Sequence, residues 1–179
     1  MPPHPLSPNA TLIKEQYENL EREGRYFVLM WISFFEGDLK IIPAMAAFIP
    51  IIGSTGGNVG IQTSSIILQS IADKTGLDIS VWSRLIRMFA VASINGLIIS
   101  GIVFGFNLLI GNELQLALVV SSALLSVVYL ASFTGTVTPI VLDRIGINPA
   151  VASGPFITTA NDLIGYGVYF GLAHLLLHL

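Results

Sequence analysis

The sequence predicts an all-α integral membrane protein, a bundle of about five transmembrane helices with a short or irregular first helix and a broken second one. Three observations predict it. Of 179 residues, 53% are hydrophobic and only 11% are charged, whereas a soluble domain carries about 25% charged residues to cover its surface. The charges crowd toward the start of the chain, at Lys14, Glu15, Glu18, Glu21, Arg22, Glu23 and Arg25. Long charge-free runs then follow at 41–72, 88–112 and 114–142, and 145–179 is interrupted only by Asp162. Each run exceeds the roughly 20 apolar residues that a helix needs to cross a hydrocarbon core about 30 Å thick. The alternation that a β-barrel requires is absent.

The same composition excludes several classes. A net charge of −3 without a basic face argues against nucleic acid as a partner. With no cysteine there is no disulfide framework, thiolate metal site or thiol chemistry. No acid is paired with a base and no nucleophile has an activating neighbour, so the chain does not read as an enzyme. The N-terminus is Pro-rich and then charged, without the apolar core and small-residue cleavage site of a signal peptide.

Taken in order, residues 1–25 read as a cytoplasmic segment and 26–179 as the membrane domain. The stretch 26–35 is apolar and aromatic but reaches only about half the core thickness at roughly 1.5 Å per residue. Glu36, Asp38 and Lys40 end it, so length alone leaves four and five crossings open. Turn signals separate the later runs: Gly76, Gly111-Asn112, and Gly146 to Pro149. Lys74, Arg84 and Arg87 lie in one loop and Arg144 in another, while the turn at Glu113 has neither Lys nor Arg. Cytoplasmic loops are enriched in Lys and Arg. The N-terminus is therefore expected inside and the C-terminus outside, an odd number of crossings that favours five. Trp31 and Trp82 read as interfacial anchors.

Two places break the apolar pattern. Residues 50–63 open with Pro50 and contain Gly53, Gly56, Gly57 and Gly60. Pro removes a helix donor and Gly adds backbone freedom, which suggests a helix broken at membrane depth. Such breaks expose carbonyls that hold cations. Alternatively, Gly56 and Gly60 form a GxxxG packing surface, but packing does not account for Asn58 and Gln62, four residues apart on one face. The second place is Asp162, near the midplane of the last run, where a carboxylate costs about 2.5–3.5 kcal/mol to insert. No Lys or Arg lies within a span to pair with it. Thr158, Gly154, Gly165 and Tyr166 share its helical face, which is small and polar like a pore wall. Asp162 is then either a protonated partner of another helix or a cation or proton site.

Other features carry less. Gly101/Gly105 and Gly167/Gly171 read as packing pairs, Asn95 and Asn107 as interhelical hydrogen-bond partners, and His174/His178 as terminal interface residues rather than a metal pair. Mg²⁺ is held through one or two carboxylates with its waters retained. One carboxylate per chain beside Thr, Asn and freed carbonyls suits that ion at a dimer axis.

These residues resemble a known family. Both 50–63 (PIIGSTGGNVGIQT) and 146–165 (GINPAVASGPFITTANDLIG) are similar to the signatures of MgtE-type magnesium transporters, and the second ends around the family's pore carboxylate, here Asp162. The resemblance covers about residues 32–179. It implies a homodimer of five-helix membrane domains in the lipid bilayer of a bacterial or archaeal plasma membrane, with Mg²⁺ as the transported ion near the dimer axis. It implies further that Asp162 holds the hydrated ion, that Thr158 and Gly154 line it, and that Asn58 belongs to the matched motif of the second helix. Gly57, Gln62, Asn161 and Gly165 are further candidates to line the pore. Three departures stand out. Asn148 replaces an Asp that many relatives carry before Pro149. The first helix is shorter than the family's. The large cytoplasmic regulatory part of bacterial members cannot fit in residues 1–25. The chain is therefore a membrane-only member or an excised domain, with room for a separate regulatory partner. A Mg²⁺/proton exchanger or efflux carrier and a non-conducting assembly subunit are the alternative functions.

Overall fold

The computed structural model describes residues 8–72, 81–152 and 154–177. Lys74, Gly76 and His178 lie outside the described residues. Among the described residues helices joined by short turns make up the chain, with no strand. The helices are α1 (Pro8–Ser33), α2 (Glu36–Ile41), α3 (Ile49–Ala72), α4 (Val81–Leu109), α5 (Leu114–Arg144) and α6 (Pro155–Leu177), with 3-10 turns at Pro43–Phe48 and Pro149–Ala152. Three stretches are long and apolar enough by themselves to cross a membrane: Pro43–Ala72, Leu85–Leu109 and Leu114–Arg144. α6 has 23 residues, about 34 Å of helix, and carries Asn161 and Asp162. An all-α membrane bundle is thus what the chain forms.

The first helix differs most from expectation. α1 does not begin at Tyr26 but at Pro8, and it runs unbroken through Arg25 into the apolar stretch. It ends at Ser33, whose hydroxyl donates to the Met30 carbonyl at 2.7 Å. After a turn at Phe34 and Phe35 the short α2 continues the climb. The break between α2 and the segment that leads into α3 falls at Ile42, which is extended at φ −126° and ψ 82°. The reason is the following Pro43, whose ring bars the preceding residue from helix.

The glycine motif is not where the second helix breaks. α3 is regular through Gly53–Gly60. Pro50 sits in its first turn, where an N–H would have no intrahelical partner in any case. The interruption lies before it, in the 3-10 turn at Pro43–Phe48.

α5 is the centre of the bundle. Its apolar stretch is 61% buried, against 22% for that of α4. α4 packs on α5 through Gly96, where a Cβ would come 2.9 Å from Leu125 Cδ1, and through a 2.9 Å hydrogen bond between Ser93 and Tyr129. Its other side, with Ile94, Leu97, Ile98, Ile102 and Phe106, is exposed, as a lipid-facing surface should be. Gly101, Gly105 and Gly171 meet nothing within 4 Å, so these expected packing glycines lie open. Asn95 is exposed. Asn107 is fully buried, but it serves its own helix end: it donates to the Val103 carbonyl at 2.9 Å and accepts from Asn112 at 2.8 Å.

α1 and α2 run parallel to α6. Gly24 lies against Thr159, Trp31 against Gly167 and Phe35 against Phe170, while Asp38 is paired with His174. The Phe35 and Phe170 rings stack at 4.3 Å. His174 Nε2 is 3.0 Å from Asp38 Oδ2, and the buried Tyr169 hydroxyl donates to the Met45 carbonyl at 3.0 Å. Together these contacts clasp the irregular segment between α1 and α3 to the far half of α6.

Close helix approach leads to a contrast that can be tested. A Cβ on Gly135 of α5 would lie 2.6 Å from the Gly60 carbonyl oxygen of α3. Gly135→Ala is expected to lower stability by about 1–3 kcal/mol through overpacking. Gly101→Ala, in open space, should raise it by up to about 1 kcal/mol through helix propensity. Thermal melting of the two variants in detergent checks the pair.

Candidate functional site

The site lies where α3 meets the N-terminal half of α6. Gly53, Gly56, Gly57 and Gly60 are all buried on one side of α3. At Gly53, Gly57 and Gly60 they let α6 come so close that its side chains fill the space the Cβ atoms would occupy, while Gly56 admits Val127 of α5. A Cβ on Gly57 would be 3.0 Å from Thr158 Cγ2 and 3.9 Å from Asp162 Oδ1. One on Gly53 would meet the Tyr166 hydroxyl and lie 3.1 Å from Asp162 Oδ1. The glycines are thus a packing surface, and the packing delivers Asp162 against α3.

Asp162 is half-buried. Its Oδ1 is fully covered and has no hydrogen-bond partner among the described residues. A buried carboxylate oxygen left unpaired is costly. One turn earlier on the same face is Thr158, whose hydroxyl and N–H both donate to the Gly154 carbonyl at 3.1 Å. Gly154 has φ +66°, a left-handed conformation that L side chains resist. Only a glycine fits that corner without strain, and the corner turns the chain into α6.

Asp162, Thr158, Thr159 and Pro155 line a cleft of about 240 Å³, whose opposite wall is Glu21, Gly24, Arg25 and Val28 of α1. The α1 wall was not foreseen in the sequence. Arg25, which precedes the apolar stretch, brings a basic group to the cleft of Asp162, where it is paired with Glu21 at 3.7 Å. The available signal was Gly24, a glycine inside a charged helical stretch: a Cβ there would collide with Thr159 Oγ1.

The other candidates go elsewhere. Asn58 and Gln62 are exposed, on the side of α3 turned away from α6. Asn161 is 2% exposed and faces α5, where it accepts a 2.7 Å hydrogen bond from Thr134. Gly165 is buried against α5, a Cβ there lying 3.4 Å from Val127 Cγ2. Asn148 is exposed and accepts from the Ala150 N–H at 3.0 Å. No group of three or more His, Asp or Glu that could hold a metal ion occurs among the described residues. A dehydrated, multi-carboxylate ion cage is therefore not built within the described part of one chain.

Residues 49–172, which hold the glycine face of α3 and the Asp162 face of α6, match the family model described as MgtE, divalent cation transporter. The chain belongs to the MgtE family. It is 30% identical over 147 residues to the magnesium transporter MgtE of Bacillus subtilis, covering 82% of this chain and 33% of that protein. Against the magnesium transporter MgtE of Thermus thermophilus it is 33% identical over 144 residues, 80% of this chain and 32% of the relative. The corresponding protein of Enterococcus faecalis is 33% identical over 147 residues. The chain spans about a third of the length of these relatives. MgtE membership makes it an integral membrane protein of a transporter family, not of an enzyme family.

The corner at Gly154 gives a direct check. Gly154→Ala is expected to lose about 1–2 kcal/mol, the cost of a Cβ in the left-handed region. Gly154→Asn should lose less, since Asn tolerates that conformation. Melting temperatures in detergent would rank wild type above Asn above Ala.

Proposed function

We propose that this chain carries Mg²⁺ across the membrane as a hydrated ion and that Asp162 is the carboxylate that holds it. The observation behind this reading is that Asp162 lines the cleft while its Oδ1 lies covered and unpartnered against the glycine face of α3. A hydrated Mg²⁺ needs outer-sphere oxygens and modest charge rather than a tight cage. Asp162, the Thr158 oxygen and the nearby Gly154 carbonyl offer that. The cleft volume exceeds what one bare ion needs and leaves room for its water shell. Asp162→Asn is expected to lower Mg²⁺ flux into liposomes by at least about a hundredfold while the protein still purifies and melts as wild type; normal flux in that variant would overturn the assignment. Running the same assay with the proton gradient collapsed separates a channel, whose flux persists, from a proton-coupled exchanger, whose flux stops.

The functional unit is proposed to be a homodimer. Ser54, Asn58, Gln62, Ser65 and Gln69 form a polar stripe along the exposed side of α3. A stripe of hydrogen-bonding groups facing acyl chains is unfavourable, and helix interfaces in membranes are where such groups find partners. A second copy placed there gives Asn58 and Gln62 partners across the interface, while Gly57, Asn161 and Gly165 support the Asp162 side of each chain from within. Residues 26–179 form the transporting domain in this reading, with the N-terminus cytoplasmic and the C-terminus outside. The parallel course of α1 and α6 supports opposite sides for the two ends. The chain contains no cysteine, so Asn58→Cys gives a clean test. Mild oxidation in membranes should produce a band of twice the mass, and Ile98→Cys, on the exposed side of α4, should not.

A further inference from the structure

Asn161 is the neighbour of Asp162 in sequence but points to a different part of the molecule. It is 2% exposed and lies where three helices meet. Thr134 Oγ1 of α5 donates to Asn161 Oδ1 at 2.7 Å, while the competing acceptor in its own helix, the Ala131 carbonyl, is at 3.1 Å. On the α3 side, Asn161 Nδ2 fills the space that a Cβ on Gly60 would occupy. That Nδ2 is buried and has no hydrogen-bond partner among the described residues. Gly135 of α5 closes the third side by admitting the Gly60 carbonyl. Two missing side chains, Gly60 and Gly135, therefore draw three helices around one carboxamide.

We propose that Asn161, held by Thr134, is the positioning residue that fixes the rotation of α6 and so aims Asp162 into the cleft. The inference rests on the reading of Asp162 as the ion-holding carboxylate. Rotating a helix within a bilayer exchanges one apolar neighbour for another at little cost, because lipid tails are as apolar as side chains. What sets rotation is a directional bond or a notch of fixed shape. Asn161 has both, the Thr134 hydroxyl and the Gly60 notch, one residue from Asp162. Successive residues are about 100° apart around a helix, so a slip of one position would carry Asp162 and Thr158 out of the cleft together. Tyr169 supplies another directional bond, to Met45, but two turns further on, where it holds the clasp rather than the site.

The test uses Thr134→Val, Thr134→Ser, Asn161→Ala, the Thr134→Val/Asn161→Ala double variant and Asp162→Asn in the full chain, reconstituted in liposomes. Thr134→Val should raise the half-saturating Mg²⁺ concentration by about three- to tenfold, the scale of one lost neutral hydrogen bond, with maximal flux within about twofold. Thr134→Ser, which keeps the hydroxyl, should behave as wild type. The double variant should be no worse than Asn161→Ala, since the two residues act as one bond. A readout independent of transport comes from a Thr158→Cys reporter in the cysteine-free chain, labelled with a water-soluble thiol reagent. Labelling should slow several-fold when Thr134→Val is added and stay unchanged with Thr134→Ser. Asn161→Ser, smaller and still polar, takes the place of the valine variant if that one does not accumulate. Wild-type half-saturation and labelling in Thr134→Val, or additive losses in the double variant, overturn the inference. Normal flux in Asp162→Asn overturns the assignment of the carboxylate instead, and the labelling result then still reports on α6 rotation alone.

Discussion

Everything near the site depends on how closely α3 and α6 can approach. Four glycines on one side of α3 remove the Cβ layer that normally separates helices, and the side chains of Thr158, Asn161, Asp162 and Tyr166 move into the space. In a bilayer this closeness is itself the attraction, since no hydrophobic force pulls one apolar helix toward another and dispersion over a tight contact must do it. The same contact does two jobs. It holds the bundle together at its middle, and it strips solvent from one oxygen of Asp162 without giving that oxygen a protein partner.

Many polar groups elsewhere in the bundle are paired. Ser93 meets Tyr129, Thr134 meets Asn161, Tyr169 meets Met45, and Asp38 meets His174. Serines along α5 donate back to their own helix, as Ser122 does to Leu118 at 2.6 Å and Ser126 to Ser122 at 2.8 Å. The covered oxygen of Asp162 lacks such a partner, as do Ser100 Oγ and Asn161 Nδ2, but among these it alone belongs to a carboxylate that lines the cleft. The α1 wall adds an arginine to the same cleft, but one engaged with Glu21, so the pair brings charge without net sign.

The helical bundle was legible in the sequence because long stretches without charge have few alternatives in a membrane. Asp162 and Thr158 were legible for the same reason: a carboxylate in such a stretch is an exception, and residues four apart share a face. The glycine motif was harder. Glycine signals either freedom or proximity, and only the partner helix tells which; here it is proximity, and the helix stays regular. Asn58 and Gln62 were placed correctly relative to each other, but periodicity does not say which side of α3 turns toward α6. Gly101 and Gly105 match the packing pattern and yet face open space, which shows how little a spacing says without a neighbour. The contribution of α1 was missed because 26–35 is too short to cross by itself. The helix gains its length by reaching back to Pro8, through residues whose charge made them look external.

The parallel pairing of the first and last helices also constrains how the chain is made. α1 packs principally on α6, through Gly24, Trp31, Phe35 and, by way of α2, Asp38. None of those partners exists until the ribosome has reached α6. A segment with so short an apolar stretch gains little from entering the bilayer alone, so α1 emerges before α3, α4 and α5 but finds its neighbour after them. The cleft beside Asp162, whose second wall is α1, is therefore completed only after α6 has been made, and a chain interrupted before α6 carries an α1 without its main docking partner.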